Sequence, residues 1–237
     1  MDEARSSGNG TLMKVITERF LVRRILHKLG FFGARARREI DRSIPGYSGG
    51  RHWFAFRELL AEFRPRRVCM IGVYHGRDIA YLCALADELG LKDFSVLGVD
   101  KFDDTPCADW PADKRAMGWQ EAGMGTPPNL LRAQRLLEAR GLSSRSKLIQ
   151  SDDAGFLQES NETFDIIYID TSHDYESVKN LIRLAAPRLA EGGLIAGDDF
   201  ADSETWGVER AVKESFREFR LYAGWIWAAK KSGLVLG

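Results

Sequence analysis

Between His52 and Ala196, short apolar runs of strand length alternate with longer stretches of helical period, and this alternation limits the possible folds more than any other feature of the chain. Strands are expected at Arg67–Gly72, Ser95–Val99, Lys147–Gln150, Phe164–Ile169 and Leu194–Ala196, with helices over 52–63, 77–89, 127–140, 175–190 and 206–217. Runs that are apolar on both faces belong to strands buried on both sides. The helices between them return the chain so that successive strands lie parallel. Two further β segments near Phe219–Tyr222 and Trp225–Ala229 flank Gly224 and predict a closing antiparallel hairpin. The expected class is therefore α/β, a doubly wound, mostly parallel seven-stranded sheet with a C-terminal antiparallel hairpin and an N-terminal helical extension.

That extension differs in composition from the rest. Residues 1–50 carry ten Lys or Arg against five acids, while the whole chain of 237 residues has a formal net charge of +0, so a basic arm precedes an acidic body. A helix is expected over 11–29, with Leu12, Val15, Val22, Leu26 and Leu29 on one face. Packing on the body or on a second subunit suits this stripe better than a membrane surface, so a homo-oligomer built through the helix is one expectation. The segment Ser43–Gly50 has linker composition and predicts a boundary between an arm, 1–50, and a main domain, 51–237. With no net charge on the chain and an acidic body, no global field attracts nucleic acid. No stretch reaches membrane-spanning length, and residues 1–10 do not read as a secretory leader. Cys69, Cys83 and Cys107 have neither metal-site spacing nor an even count, so reduced thiols and a cytoplasmic location are expected.

Candidate chemistry gathers where strands end. The first strand runs into Gly72-Val73-Tyr74-His75-Gly76, a tight strand-to-helix turn where backbone can approach a ligand closely. Asp100 ends the next strand, where a carboxylate can accept from ribose hydroxyls. After the third strand, Ser151-Asp152-Asp153 offers a carboxylate to an adenine amine, or a cap for the helix that follows. Asp170, Asp198 and Asp199 fall at the ends of later strands. Converging there, they would suit Mg²⁺, Ca²⁺ or Mn²⁺; unconverged, they are ordinary turn residues. His173 is placed to be a general base or to order its loop, and Asp170 is the other candidate base. His75 is expected to shape the glycine turn, and His27 and His52 receive no role. The long segment Asp103–Thr126, with Trp110 and Trp119, reads as a lid or a subunit contact, and Tyr47 and Trp53 as residues of the entrance.

The runs Met70-Ile-Gly-Val-Tyr-His-Gly76, Val99-Asp-Lys-Phe102, Phe164 to Tyr175 and Leu189 to Phe200 resemble the class I S-adenosylmethionine-dependent methyltransferases, in the small-molecule branch that includes antibiotic and sugar O-methyltransferases. The resemblance covers roughly residues 45–230 and implies a Rossmann-like sheet. It also implies that Gly72, Tyr74 and Gly76 line the methionine and ribose part of S-adenosyl-L-methionine, Asp100 the ribose, and Phe102 and Asp152 the adenine, with Val73, Lys101, Ser151 and Asp170 also at the cofactor. Related enzymes hold a divalent ion with an aspartate at the place of Asp170 and an acidic pair at the places of Asp198 and Asp199, which points to magnesium-assisted methylation of a small-molecule hydroxyl. One departure is Met70, where the family commonly has an acidic residue. Two other readings stand beside this one. Tyr175-x-x-x-Lys179 has the spacing of a short-chain NAD(P)-dependent oxidoreductase, although Gly-x-Gly-x-x-Gly is absent. A noncatalytic binding protein on the same fold is the third.

Overall fold

The computed structural model describes residues 31–107 and 109–235. The helix expected over 11–29 lies outside them. The described chain opens with α1 (Phe31–Ser43) and α2 (Gly50–Phe63), followed by β1 (Arg67–Ile71), α3 (Arg77–Glu88) and β2 (Ser95–Asp100). Next come α4 (Ala112–Arg115), α5 (Leu130–Glu138), β3 (Ser146–Gln150), α6 (Asp153–Glu159), β4 (Phe164–Ile169), α7 (Tyr175–Ala185) and β5 (Leu189–Gly197). α8 (Val208–Ser215), β6 (Arg220–Tyr222) and β7 (Ile226–Lys230) close the fold. The seven strands lie in the order β3-β2-β1-β4-β5-β7-β6. β1 to β5 pair parallel, and β7 runs antiparallel to both β5 and β6.

The sheet is doubly wound because alternate residues of its strands face two separate cores. Val68 and Met70 of β1 pack with Trp53, Phe56 and Leu60 of α2 and with Ile79 and Leu82 of α3, whereas Cys69 and Ile71 pack with Val178, Leu181 and Ile182 of α7 and Val212 of α8. Ile40 and Ile44, within the expected arm, are buried in the first of these cores. Trp53, expected at an entrance, is fully buried and meets Tyr81 edge to face.

Element identities follow the periodicity, and the differences lie at the ends. The helix expected over 175–190 stops at Ala185, because Pro187 lacks the amide that would continue the ladder; a single 3₁₀ turn follows, and β5 begins at Leu189. The hairpin turn places Ala223 and Gly224 at φ 52° and 74°, the paired left-handed conformation whose twist matches two antiparallel strands. The switch in winding falls between β1 and β4, and the residues just beyond their carboxyl ends are Gly72 and Asp170. A crevice must open at this point, since the connections leave on opposite faces.

Candidate active site

A cavity of about 1020 Å³ opens at that switch point. Its floor is the glycine turn, where Gly72, Tyr74 and Gly76 all have positive φ, at 88°, 54° and 87°. Gly72 has a second reason to be glycine: a Cβ there would stand 1.7 Å from the carbonyl oxygen of Asp170. Asp100 holds the turn in place. Its Oδ2 accepts from the amides of Val73 at 2.8 Å and Tyr74 at 2.9 Å, and its Oδ1 accepts from the amide of Phe102 at 2.7 Å. The carboxylate expected to face a ribose thus also orders the turn that would approach the ligand.

Of the residues expected to touch a cofactor, Gly72, Val73, Tyr74, Asp100, Lys101 and Asp170 line this cavity. Gly76, Phe102, Ser151 and Asp152 are not among its lining residues. Asp152 caps α6, accepting from the amide of Gly155 at 3.0 Å, and lies 3.5 Å from the Lys101 ammonium. Its neighbour Asp153 lines the cavity instead, accepts from the Thr171 hydroxyl at 2.8 Å, and is pushed up to about 6 by burial. Ser151 Oγ donates to the carbonyl of Asp152, and Phe102 is buried with φ 50°.

Deeper in the crevice, Asp170, His173 and Asp199 come together, with one ligand atom of each lying within 4.8 Å of the others. His173 Nε2 is 3.0 Å from Asp199 Oδ2 and 3.8 Å from Asp170 Oδ1, while Nδ1 is 2.9 Å from Asp109 Oδ2. Burial opposes charge on the imidazole, but the three carboxylates outweigh it and push His173 up to about 12. To act as the expected general base, or to ligate an ion, the imidazole must first give up this proton. Burial also raises Asp170, beside the acids Asp198 and Asp199. Asp199 has φ 54° and accepts from the Trp225 indole, contacts that fix its carboxylate.

Asp198 stands outside this group of three. Its Oδ2 lies 2.5 Å from Nε2 of His52, the first-turn residue of α2 that the sequence left without a role. Burial works against a charge on His52 and the contact with Asp198 works for it, with the outcome a rise to about 9. The stabilising share of this pair is complete below the unfolded histidine value near 6.5 and is lost as pH rises through about 9. Proton NMR of the imidazole is expected to titrate His52 near pH 9 in the wild type and at a lower pH in Asp198→Asn; an unchanged midpoint in the variant would contradict the pairing.

Further residues complete the picture. Asp109, 5% exposed, comes from the long loop, whose length was its only signal. Asp78, in the first turn of α3, is pushed up to about 6, chiefly by burial. The same loop carries Trp110 and Trp119, edge to face at 4.8 Å, and Tyr74 stacks between Trp119 and Tyr47 at 5.9 and 5.3 Å. These aromatics line one wall of the cavity. His75 is buried, and burial followed by the charge of Arg132 lowers it to about 4, so it is a neutral part of the turn.

The Tyr175 and Lys179 pair is directed elsewhere. Lys179 Nζ donates to the Tyr175 hydroxyl at 2.8 Å, both meet Glu214 Oε2 of α8 at 2.6 Å, and neither lines the cavity. The oxidoreductase reading loses its catalytic pair to a bond between two helices.

With a glycine turn, a clamping aspartate and an acidic cluster on one crevice, the comparison with known proteins becomes informative. A family model described as a methyltransferase domain matches residues 69–200, more than half of the chain. The chain belongs to this methyltransferase family. No curated protein matches the methyltransferase by sequence. Solved structures do match its fold. The O-methyltransferase NovP is 16% identical with a TM-score of 0.58, covering 77% of this chain and 80% of its own. The calicheamicin methyltransferase CalS11 is 19% identical, with a TM-score of 0.55 and coverages of 75% and 76%. An O-methyltransferase from Bacillus cereus, solved in complex with SAH, is 18% identical with a TM-score of 0.52, covering 82% of this chain and 90% of its own. The fold is thus shared with these structures, and in this chain the seven-stranded sheet ends in the closing antiparallel hairpin. Among the described residues no helix is long and apolar enough to cross a membrane.

Proposed function

We propose that the protein transfers a methyl group from S-adenosyl-L-methionine to a hydroxyl of a small molecule, with a divalent ion held by Asp170, His173 and Asp199. The observation that carries this reading is the meeting of those three side chains beside the glycine turn, in one cavity of ligand size. The fold neighbours whose names include O-methyltransferase support it, as does the neighbour solved with SAH. Two carboxylates and an imidazole fit a divalent ion of the Mg²⁺ or Mn²⁺ kind, with the imidazole favouring Mn²⁺. The surroundings of His173 fit as well: Asp109 accepts from Nδ1–H, which fixes the ring and leaves Nε2 as the ligating atom once its proton is lost.

When bound, S-adenosylmethionine supplies an electrophilic methyl on a sulfonium, and the ion supplies charge that lowers the pKa of the acceptor hydroxyl. The chain's own residues do the rest. Asp100 keeps the glycine turn in the conformation that receives the cofactor. Asp170, at the end of β4 and in the cavity lining, takes the hydroxyl proton through the oxygen an ion would leave free. Trp110, Trp119 and Tyr74 keep water from the reacting atoms and present aromatic faces to the acceptor. Asp198, expected among the metal ligands, acts through His52 to fix the wall beside them.

Equilibrium dialysis with Mn²⁺ and calorimetry with S-adenosylhomocysteine test this. One Mn²⁺ retained per chain and a saturable heat with the nucleoside are expected, while failure of both would remove the reading. Asp109→Asn is expected to weaken Mn²⁺ binding roughly 10- to 100-fold, the usual cost of losing the partner that orients a ligating histidine.

A further inference from the structure

Asp78 is an acid on the cavity wall that neither the glycine turn nor the Asp170, His173 and Asp199 cluster uses. The side chain is 7% exposed. One of its oxygens, Oδ2, accepts from Ser48 Oγ at 2.6 Å, and the other, Oδ1, has no hydrogen-bond partner. The nearby cations are committed elsewhere. Arg77 donates to the carbonyls of Ile44, Ser48 and Asp41, and His52 is paired with Asp198. An enclosed anion with a vacant oxygen and no cation bonded to it is costly unless one comes to it. The first turn of α3 favours a negative charge, and His52 and Arg77 favour it through space, but neither cation hydrogen-bonds to the carboxylate.

Met70 bears on the same corner. It lies in β1 between Gly98 and Tyr168, is 1% exposed, and belongs to the apolar core. The position therefore has neither charge nor access to the cavity. Asp78, two residues beyond Gly76 and on the cavity wall, does have both a carboxylate and a place in the lining.

We propose that Asp78 receives the α-ammonium group of the methionyl end of the cofactor, with Ser48 orienting its carboxylate. This rests on the S-adenosylmethionine reading above. The cofactor's amino-acid end then brings the cation that this side chain lacks, and the segment carrying Ser48 forms one side of the subsite. Asp78 is a binding residue for the end of the cofactor away from the adenine, and it sets the position of the sulfonium along the cavity.

Two ligands separate this role from a structural one. S-Adenosylhomocysteine carries the amino-acid end; 5′-methylthioadenosine has the same nucleoside and sulfur without it. Asp78→Asn keeps an acceptor for Ser48 and removes the charge. Calorimetry on the full chain is expected to show a Kd for S-adenosylhomocysteine weakened roughly 10- to 100-fold, the worth of one hydrogen bond to a charged group, with methylthioadenosine binding unchanged. Asp78→Ser, neutral and smaller, is the second variant and is read the same way. Binding of methylthioadenosine reports that each variant is folded. If the ratio of the two Kd values in both variants equals that of the wild type, whether both ligands bind as before or both bind worse, the assignment is overturned while the proposed function stands. If the wild type binds neither nucleoside, the proposed function falls and the assignment falls with it.

Discussion

Asp199→Asn is expected to abolish retention of Mn²⁺ in dialysis and to reduce methyl transfer roughly 1000-fold, because the substitution removes an anionic ligand and the charge that would balance the ion. The change is chosen to spare the fold. Asp199 sits at φ 54°, a conformation that asparagine also adopts, and an amide oxygen can still accept from the Trp225 indole. Transfer is measured with labelled S-adenosylmethionine against a panel of sugar and phenolic hydroxyls, using whichever acceptor the wild type methylates. A second consequence is electrostatic. His173 owes its high pKa in part to Asp199, so its NMR titration midpoint is expected to fall in the variant. Wild-type Mn²⁺ affinity in Asp199→Asn would remove this residue from the metal site and leave Asp170 and His173 short of a third ligand.

The second large effect is on folding. Gly72→Ala is expected to lower stability by about 3–5 kcal/mol, enough to consume a large share of an ordinary domain's 5–15 kcal/mol. Two independent costs add here. The φ of 88° lies in a region an alanine enters only with strain, and the new methyl would stand 1.7 Å from the backbone oxygen of Asp170. Since Asp170 follows β4 and its amide donates to Ile71, the displacement spreads across the pairing of the two central strands. Gly118→Ala is the control: its added methyl meets nothing within 4 Å and its φ is not positive, so its melting temperature should match that of the wild type. A Gly72→Ala protein melting with the control would show that the turn relaxes without cost.

The two substitutions act on features that were unequally visible in the sequence. The glycine turn was legible because its requirements are local: a strand end, two glycines and a helix start specify a backbone path within a few residues. The parallel sheet and closing hairpin were legible for the same reason, since apolar runs and Gly224 report on periodicity and turn conformation directly. Helix ends were less so. At Pro187 the ladder stops, although the apolar spacing continues beyond it.

The acids divide along the same line. Asp170 and Asp199 were expected at strand ends, and the fold brings them to His173. Spacing alone gave no reason to separate Asp199 from Asp198. Adjacent residues leaving a strand point in different directions, and the left-handed φ of Asp199 turns its carboxylate to His173 while Asp198 meets His52. His52 carried no signal, because its partner is 146 positions away. Asp109 and Asp78 were hidden in a similar way, one inside an irregular loop and the other among the ordinary charges of a helix start.

What the sequence determined by itself is the chemistry available at each strand end and the sheet that aligns those ends, since both depend on residue type and on periods of two and 3.6. The tertiary structure decided which carboxylates gather around His173 and which are enclosed with an oxygen left unbonded. That choice depends on distances between segments far apart in the chain, and on burial, which makes an unpaired charge costly only once the fold has closed around it.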